Sequence, residues 1–129
     1  LNCESRQVFK KVLRNGATGV FQGKILVKPG AQKTDGYQKS QSLLLDGDSQ
    51  FLAKPELEIY ADDVACSHGS TSGAIDEEGL FYLRSRGLSE RAARRMLTGA
   101  FCRAVSDRLD PVGLSARIAS MIDEAMPEQ

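Results

Sequence analysis

The feature that most constrains this chain is a change of period near residue 75. Before it, short apolar-x-apolar stretches meet turn-forming corners. After it, apolar residues recur at helical spacing. In the first part, Ile25-Leu26-Val27 runs into Lys28-Pro29-Gly30, Leu43-Leu44-Leu45 into Asp46-Gly47-Asp48, and Leu57-Glu58-Ile59 into Tyr60-Ala61-Asp62-Asp63. Each reads as a strand ending at a Pro, Gly or Asp corner. A second short stretch follows each corner: Ala31 to Thr34, Gln50 to Ala53, and Val64 to Cys66. Strand, corner, strand and return in fewer than about 20 residues is the size of one rung of a strand solenoid, whose rungs must stack to make a continuous core. No hexapeptide repeat of the left-handed kind is present. The spacing therefore fits a right-handed parallel β-helix, and it fits an antiparallel sandwich as well.

Gly69-Ser70-Thr71-Ser72-Gly73-Ala74-Ile75 reads as a small-residue loop that closes the strand region. Asp76 then caps a helix with Glu77 and Glu78 in its first turn, where the helix dipole favours acids, and Gly87 stands at its C′ position. Ser89 caps a second helix whose stripe is Ala93, Leu97, Ala100, Phe101, Ala104 and Val105. Asp110-Pro111 stops it and starts a third, with Leu114, Ile118, Met121, Ile122 and Ala125 as its stripe. The stripes predict core. Arg91, Arg94, Arg95, Arg103 and Arg108 form a charged face that is either solvated or able to steer an acidic partner. The expected organisation is strands over 1–75 and a helical domain over 76–129.

Composition narrows the function classes. The 129 residues carry 17 basic and 17 acidic side chains, so nothing draws the chain generally to nucleic acid or an anionic membrane. With no Trp, a base-stacking surface is not expected. No apolar run is long enough to cross a bilayer, and Leu1-Asn2-Cys3-Glu4 does not open a signal peptide. The missing initiator Met suggests a piece of a longer chain or a processed one. Three cysteines (Cys3, Cys66, Cys102) form no disulfide framework and point to a reducing, cytoplasmic compartment. Cys3 and Cys102 read as structural thiols.

No nucleophile elbow, phosphate-binding loop or Cys-x-x-Cys occurs, and the single histidine excludes a His-rich zinc site. Asp62 and Asp63 are adjacent, would face opposite sides of a strand, and read as corner residues. What remains is Cys66-Ser67-His68. On a strand, residues i and i+2 share a face with Cα atoms about 6 to 7 Å apart. A thiolate and an imidazole so placed suit two ligands of a soft or borderline metal, or a His that activates a thiol. Such a site is half complete, and further ligands would come from elsewhere. The other reading is a structural Cys and a hydrogen-bonded His.

Three motifs in order, Lys54-Pro55-Glu56-Leu57-Glu58-Ile59, Cys66-Ser67-His68-Gly69-Ser70-Thr71 and Leu80-Phe81-Tyr82-Leu83-Arg84-Ser85-Arg86-Gly87-Leu88, resemble the SufB/SufD family of iron–sulfur cluster assembly scaffolds. Phe21-Gln22-Gly23-Lys24-Ile25 and Pro29 to Thr34 fit the same pattern. The resemblance spans nearly the whole chain and about the last third of a full-length member. It implies a right-handed parallel β-helix with a C-terminal helical domain. It also implies a complex in which a SufB-type subunit pairs through the β-helix and the SufC ATPase docks on the helical tail, about residues 76–126. No nucleotide site exists in this sequence, so ATP hydrolysis would belong to SufC and the chain itself would be a non-catalytic scaffold.

Two positions resemble the D-type subunit. Ser40 stands where the B-type has a cysteine, and Gly69 where it has a glutamate. By this resemblance His68, with Cys66, would face the cluster-building cysteine of the B-type partner. A nascent iron–sulfur cluster would be held transiently at that interface and none by this chain alone. Two other functions compete: an interaction module with no ligand role, and a β-solenoid enzyme acting on saccharides, for which the strands offer no evident acid pair.

Overall fold

A computed structural model describes residues 2–108 and 113–126. Five strands are followed by helices: β1 Glu4–Leu13, β2 Thr18–Val27, β3 Asp35–Leu44, β4 Gln50–Ile59, β5 Ala65–Ala74, α1 Glu77–Ser85, α2 Glu90–Arg103, a 3₁₀ turn Ser106–Arg108, and α3 Leu114–Ala125. The strands sort alternately into two sheets. One is three-stranded, in the order β1-β3-β5, and the other two-stranded, β2-β4, with every pairing parallel.

This corrects the expected right-handed parallel β-helix. The described strands form two open parallel sheets, and no ladder joins one sheet to the other or closes a coil. The unit length differs as well. Gln7 and Gln38, ladder partners on β1 and β3, are 31 positions apart, so one return to the same sheet is far longer than a short rung. The reason is that the apolar triplets are not strands in themselves. Ile25-Leu26-Val27 and Leu57-Glu58-Ile59 are the last residues of ten-residue strands, and Val20-Phe21 and Gln50-Phe51-Leu52-Ala53 are their earlier parts. Ala31–Thr34 belongs to a corner. The antiparallel sandwich is excluded by the same pairings.

Corners obey local chemistry. Between β1 and β2, Asn15 and Gly16 both take positive φ (57° and 69°), a conformation that favours Asn and Gly, and the Ala17 amide closes the turn on the Arg14 carbonyl. The next corner upward locks onto it, because the Asp46 carboxylate accepts from the amides of Asn15, Asp48 and Ser49. Asp62 and Asp63 do lie in a corner, where the Asp63 amide donates to Gln32 Oε1. Pro55 fits in β4 because that strand has a partner on one side only among the described residues.

The second correction concerns residues 69–74. They are the latter part of β5, not a loop, paired one by one with β3 from Lys39↔Gly69 to Leu44↔Ala74. Gly is depleted in strands and this stretch offers no apolar alternation, but a preformed neighbour whose N–H and C=O groups need partners outweighs both. The change to helix therefore falls between Ala74 and Glu77.

Helix boundaries follow the capping signals. Asp76 accepts from the Glu78 amide, Ser89 from the Ala92 amide, and Gly87, at φ 93°, ends the first helix. Asp110 and Pro111 lie outside the described residues, and α3 is described from Leu114 with Gly113 as its cap. The helices pack on the outer face of the three-stranded sheet along β1 and at the ends of β3 and β5, and leave most of β5 exposed. Leu43, Ile75, Leu80 and Ala93 form the buried cluster there, bordered by Val12, Leu45, Leu83, Leu88, Leu97 and Phe101. Not every stripe residue is core: Ala100 on α2 and Leu114 and Met121 on α3 are exposed. The arginine face is partly structural, since Arg103 pairs with Asp123 and Arg95 donates to the carbonyls of Asp123 and Met126, tying α3 to α2. No helix is long and apolar enough to cross a membrane among the described residues.

Candidate functional site

Strand alternation decides which residues meet between the two sheets. On β3, Gly36, Gln38, Ser40 and Ser42 are buried in alternation. Their ladder partners are Ser5, Gln7, Phe9 and Lys11 on β1, and Cys66, His68, Ser70 and Ser72 on β5. Facing them from β2 is the other alternating set, of which Phe21 and Val27 are buried. The seam between the sheets is thus aromatic and aliphatic on one side and largely polar on the other.

Cys66 and His68 sit on this inner face of β5, the last strand of its sheet. Gly36 makes room for the thiol: a methyl group there would come 3.3 Å from Cys66 Sγ and 3.7 Å from Ile25. Cys66 is half-buried and His68 exposed, because the second sheet ends at β4 and covers little of β5. Both groups share one face and open toward the end of the stack. No cluster of three or more His, Cys, Asp or Glu side chains gathers among the described residues. A thiol and an imidazole, one soft and one borderline donor type, thus share this face without a third such group gathered beside them among the described residues.

The polar side of the seam is organised in depth. Gln38 Nε2 donates to Gln7 Oε1 at 2.8 Å, while Gln38 Oε1 is buried without a partner among the described residues and points toward Gly23. Ser40, 1% exposed, accepts from Lys11 Nζ at 2.7 Å. The Lys11 ammonium also lies 4.3 Å from the Phe21 ring centre and 4.7 Å from that of Phe51. The ammonium thus meets one hydroxyl and two near ring faces, with the Phe9 ring centre further off at 5.8 Å, and burial lowers the Lys11 pKa below the ordinary lysine value. Ser40, in β3, is an interior hydroxyl held by a cation.

Sequence reasoning missed this seam because Gln38-Lys39-Ser40-Gln41-Ser42 is polar throughout, and polar residues are expected on the wet face. The one available signal was period-2 spacing of the smaller polar residues Ser40 and Ser42 against the long Lys39 and Gln41. Of the other cysteines, Cys3 is exposed ahead of β1, and Cys102 is half-buried on α2, where burial pushes its thiol pKa up. Neither approaches Cys66 in the ladder.

Residues 1–101 match the family model for the SUF system FeS cluster assembly, SufBD core domain. The chain is similar to the iron–sulfur cluster assembly protein SufD of Escherichia coli, 42% identical over 97% of the chain and 30% of that protein. It is 37% identical to an iron–sulfur cluster assembly SufBD family protein of Synechocystis, over 92% of the chain and 26% of the relative. It is 31% identical to SufD of Bacillus subtilis, over 87% of the chain and 26% of the relative. The chain thus spans under a third of the length of these curated relatives. With more than half of its residues inside the family model, and with the Cys-x-His-Gly strand placed at the end of the sheet, the chain belongs to the SufB/SufD family of the SUF iron–sulfur cluster assembly system, on its SufD-like side.

Proposed function

We propose that the chain works as a SufD-like scaffold subunit of iron–sulfur cluster assembly, lending His68, and with it Cys66, to a site completed by a SufB-type partner. The observation that carries this is the placement of both side chains on one face at the uncovered end of the three-stranded sheet, with no third ligand beside them among the described residues. A soft thiolate and a borderline imidazole suit iron in a nascent cluster, which is cargo here and not a resident cofactor. The chain's role is positional: it takes no covalent step and holds part of the coordination sphere while the partner supplies the rest. Ser40 supports the division of labour, because a hydroxyl bonded to Lys11 cannot accept sulfur as a thiolate does. On this reading the SufB-type subunit meets the strand region, the SufC ATPase meets the helices over about 76–126, and the complex works in the cytoplasm.

The test is His68→Ala in the assembled complex. Cluster formation, read as iron and sulfide per complex under anaerobic conditions, should fall while co-purification with both partners survives. An unchanged yield would sink the proposal.

A second reading applies to Cys66 alone. Its sulfur fills the space left by the missing side chain of Gly36, which favours a filling role for the thiol. Cys66→Ala should then lower stability and leave cluster yield per folded complex unchanged, whereas selective loss of iron binding would make Cys66 a ligand.

A further inference from the structure

On the far side of the three-stranded sheet from Cys66 and His68, a cavity of about 300 Å³ opens between β1, the β3 corner and the helices α2 and α3. Val12, Leu45, Ile122, Ala125 and Met126 give it apolar walls. Polar groups of three kinds break that lining. Cys102 is a thiol kept neutral by burial. Thr98 is 5% exposed, and its hydroxyl is buried with no partner among the described residues. A helical threonine usually turns its hydroxyl onto a carbonyl one turn back, so an unpartnered one beside a cavity is a group waiting for an acceptor or donor.

The third kind is cationic. Arg14 and Arg95 both line the cavity, and no carboxylate among the described residues does. Arg95 is engaged with the carbonyls of Asp123 and Met126. Arg14 is exposed and pairs with no carboxylate among the described residues; neighbouring Asp46 keeps its oxygens on backbone amides. An apolar pocket with one buried hydroxyl and a guanidinium at its mouth selects ligands with an apolar body and one negative end. Its size accommodates a single ring or a short branched chain.

We propose that this cavity binds a small carboxylate with an apolar body, an aromatic or branched acid, with its body among Val12, Leu45 and Ile122 and its carboxylate between the Thr98 hydroxyl and the Arg14 guanidinium. The site is independent of the cluster chemistry assigned to His68.

The experiment uses the intact protein and two probes, benzoate and the uncharged benzyl alcohol, followed by methyl-resolved NMR of Val12, Leu45 and Ile122. Benzoate should saturate these shifts at one molecule per chain, and benzyl alcohol should bind about tenfold more weakly for want of a charge-assisted bond. Arg14→Gln, a surface change that leaves the fold alone, should bring benzoate down to the level of the alcohol. Ala125→Phe should abolish both by filling the space. Absence of saturable shifts with benzoate would overturn the proposal. So would equal affinity for the two probes with Arg14→Gln silent, or binding that survives Ala125→Phe.

Discussion

The two faces of the three-stranded sheet are built on opposite principles. Its outer face, under the helices, is an ordinary apolar junction in which Leu43, Ile75, Leu80 and Ala93 exclude water. Its inner face, toward the second sheet, buries Gln38, Ser40 and Ser42 and brings the Lys11 ammonium among phenylalanines. The first face holds the helices mainly by non-directional apolar burial, with the Lys10 ammonium 4.1 Å from the Phe101 ring centre as a directed contact beside it. The second is directional: each buried polar group needs a named partner, and Gln38 Oε1 and Ser42 Oγ have none among the described residues. One face holds the fold together, and the other defines where side chains of β5 stand.

The largest test of this contrast is at the junction. Leu80 is 4% exposed at the centre of the apolar cluster, and Leu80→Ala should cost about 2–5 kcal/mol through lost transfer energy and a residual cavity. Urea unfolding would measure it, and a loss under about 1 kcal/mol would mean that the helices are held by something other than this cluster.

A smaller effect is expected inside the seam. A methyl at Gly23 would come 2.6 Å from Gln38 Oε1 and 2.8 Å from the Phe21 ring, so Gly23→Ala should cost about 1–3 kcal/mol by overpacking. Combining it with Gln38→Ala should recover part of that loss. Strict additivity in the double mutant would show that Gln38 does not occupy this space.

The smallest effect is on pH dependence at the junction. Burial raises the Cys102 pKa, because the folded state favours the neutral thiol. A group whose folded pKa lies above its unfolded value contributes stability that is complete below the unfolded pKa and is lost as pH rises toward the folded one. Stability should therefore decline above the ordinary thiol range, and Cys102→Val should flatten that decline in thermal melts across alkaline pH. An identical alkaline slope in the variant would assign it to other groups.

The helices and the strands also differ in how far they could be read. Asp76, Glu77, Glu78, Gly87 and Ser89 act on backbone groups within a turn of themselves, so their signals are local and the boundaries came out where the residues put them. Strand pairing in a parallel sheet joins residues some thirty positions apart, and no local pattern carries that distance. Triplets such as Ile25-Leu26-Val27 marked where strands end and said nothing of where they begin. Residues 69–74 read as loop because their own propensity is weak, and became strand because β3 was there to pair with.

By itself, the sequence determined the strand-then-helix order, the caps of the first two helices, the corners and the family, since the Cys66-x-His68-Gly69 and Leu80 to Leu88 motifs are contiguous and need no fold to be seen. It also determined that Cys66 and His68 share a face, given a strand. Only the tertiary structure decided that the coil is two open sheets, that the polar residues of β3 turn inward, and that His68 stands exposed at the sheet's end. Those facts depend on register between distant strands and on where the second sheet stops, and they come into being when the backbone finds its partners.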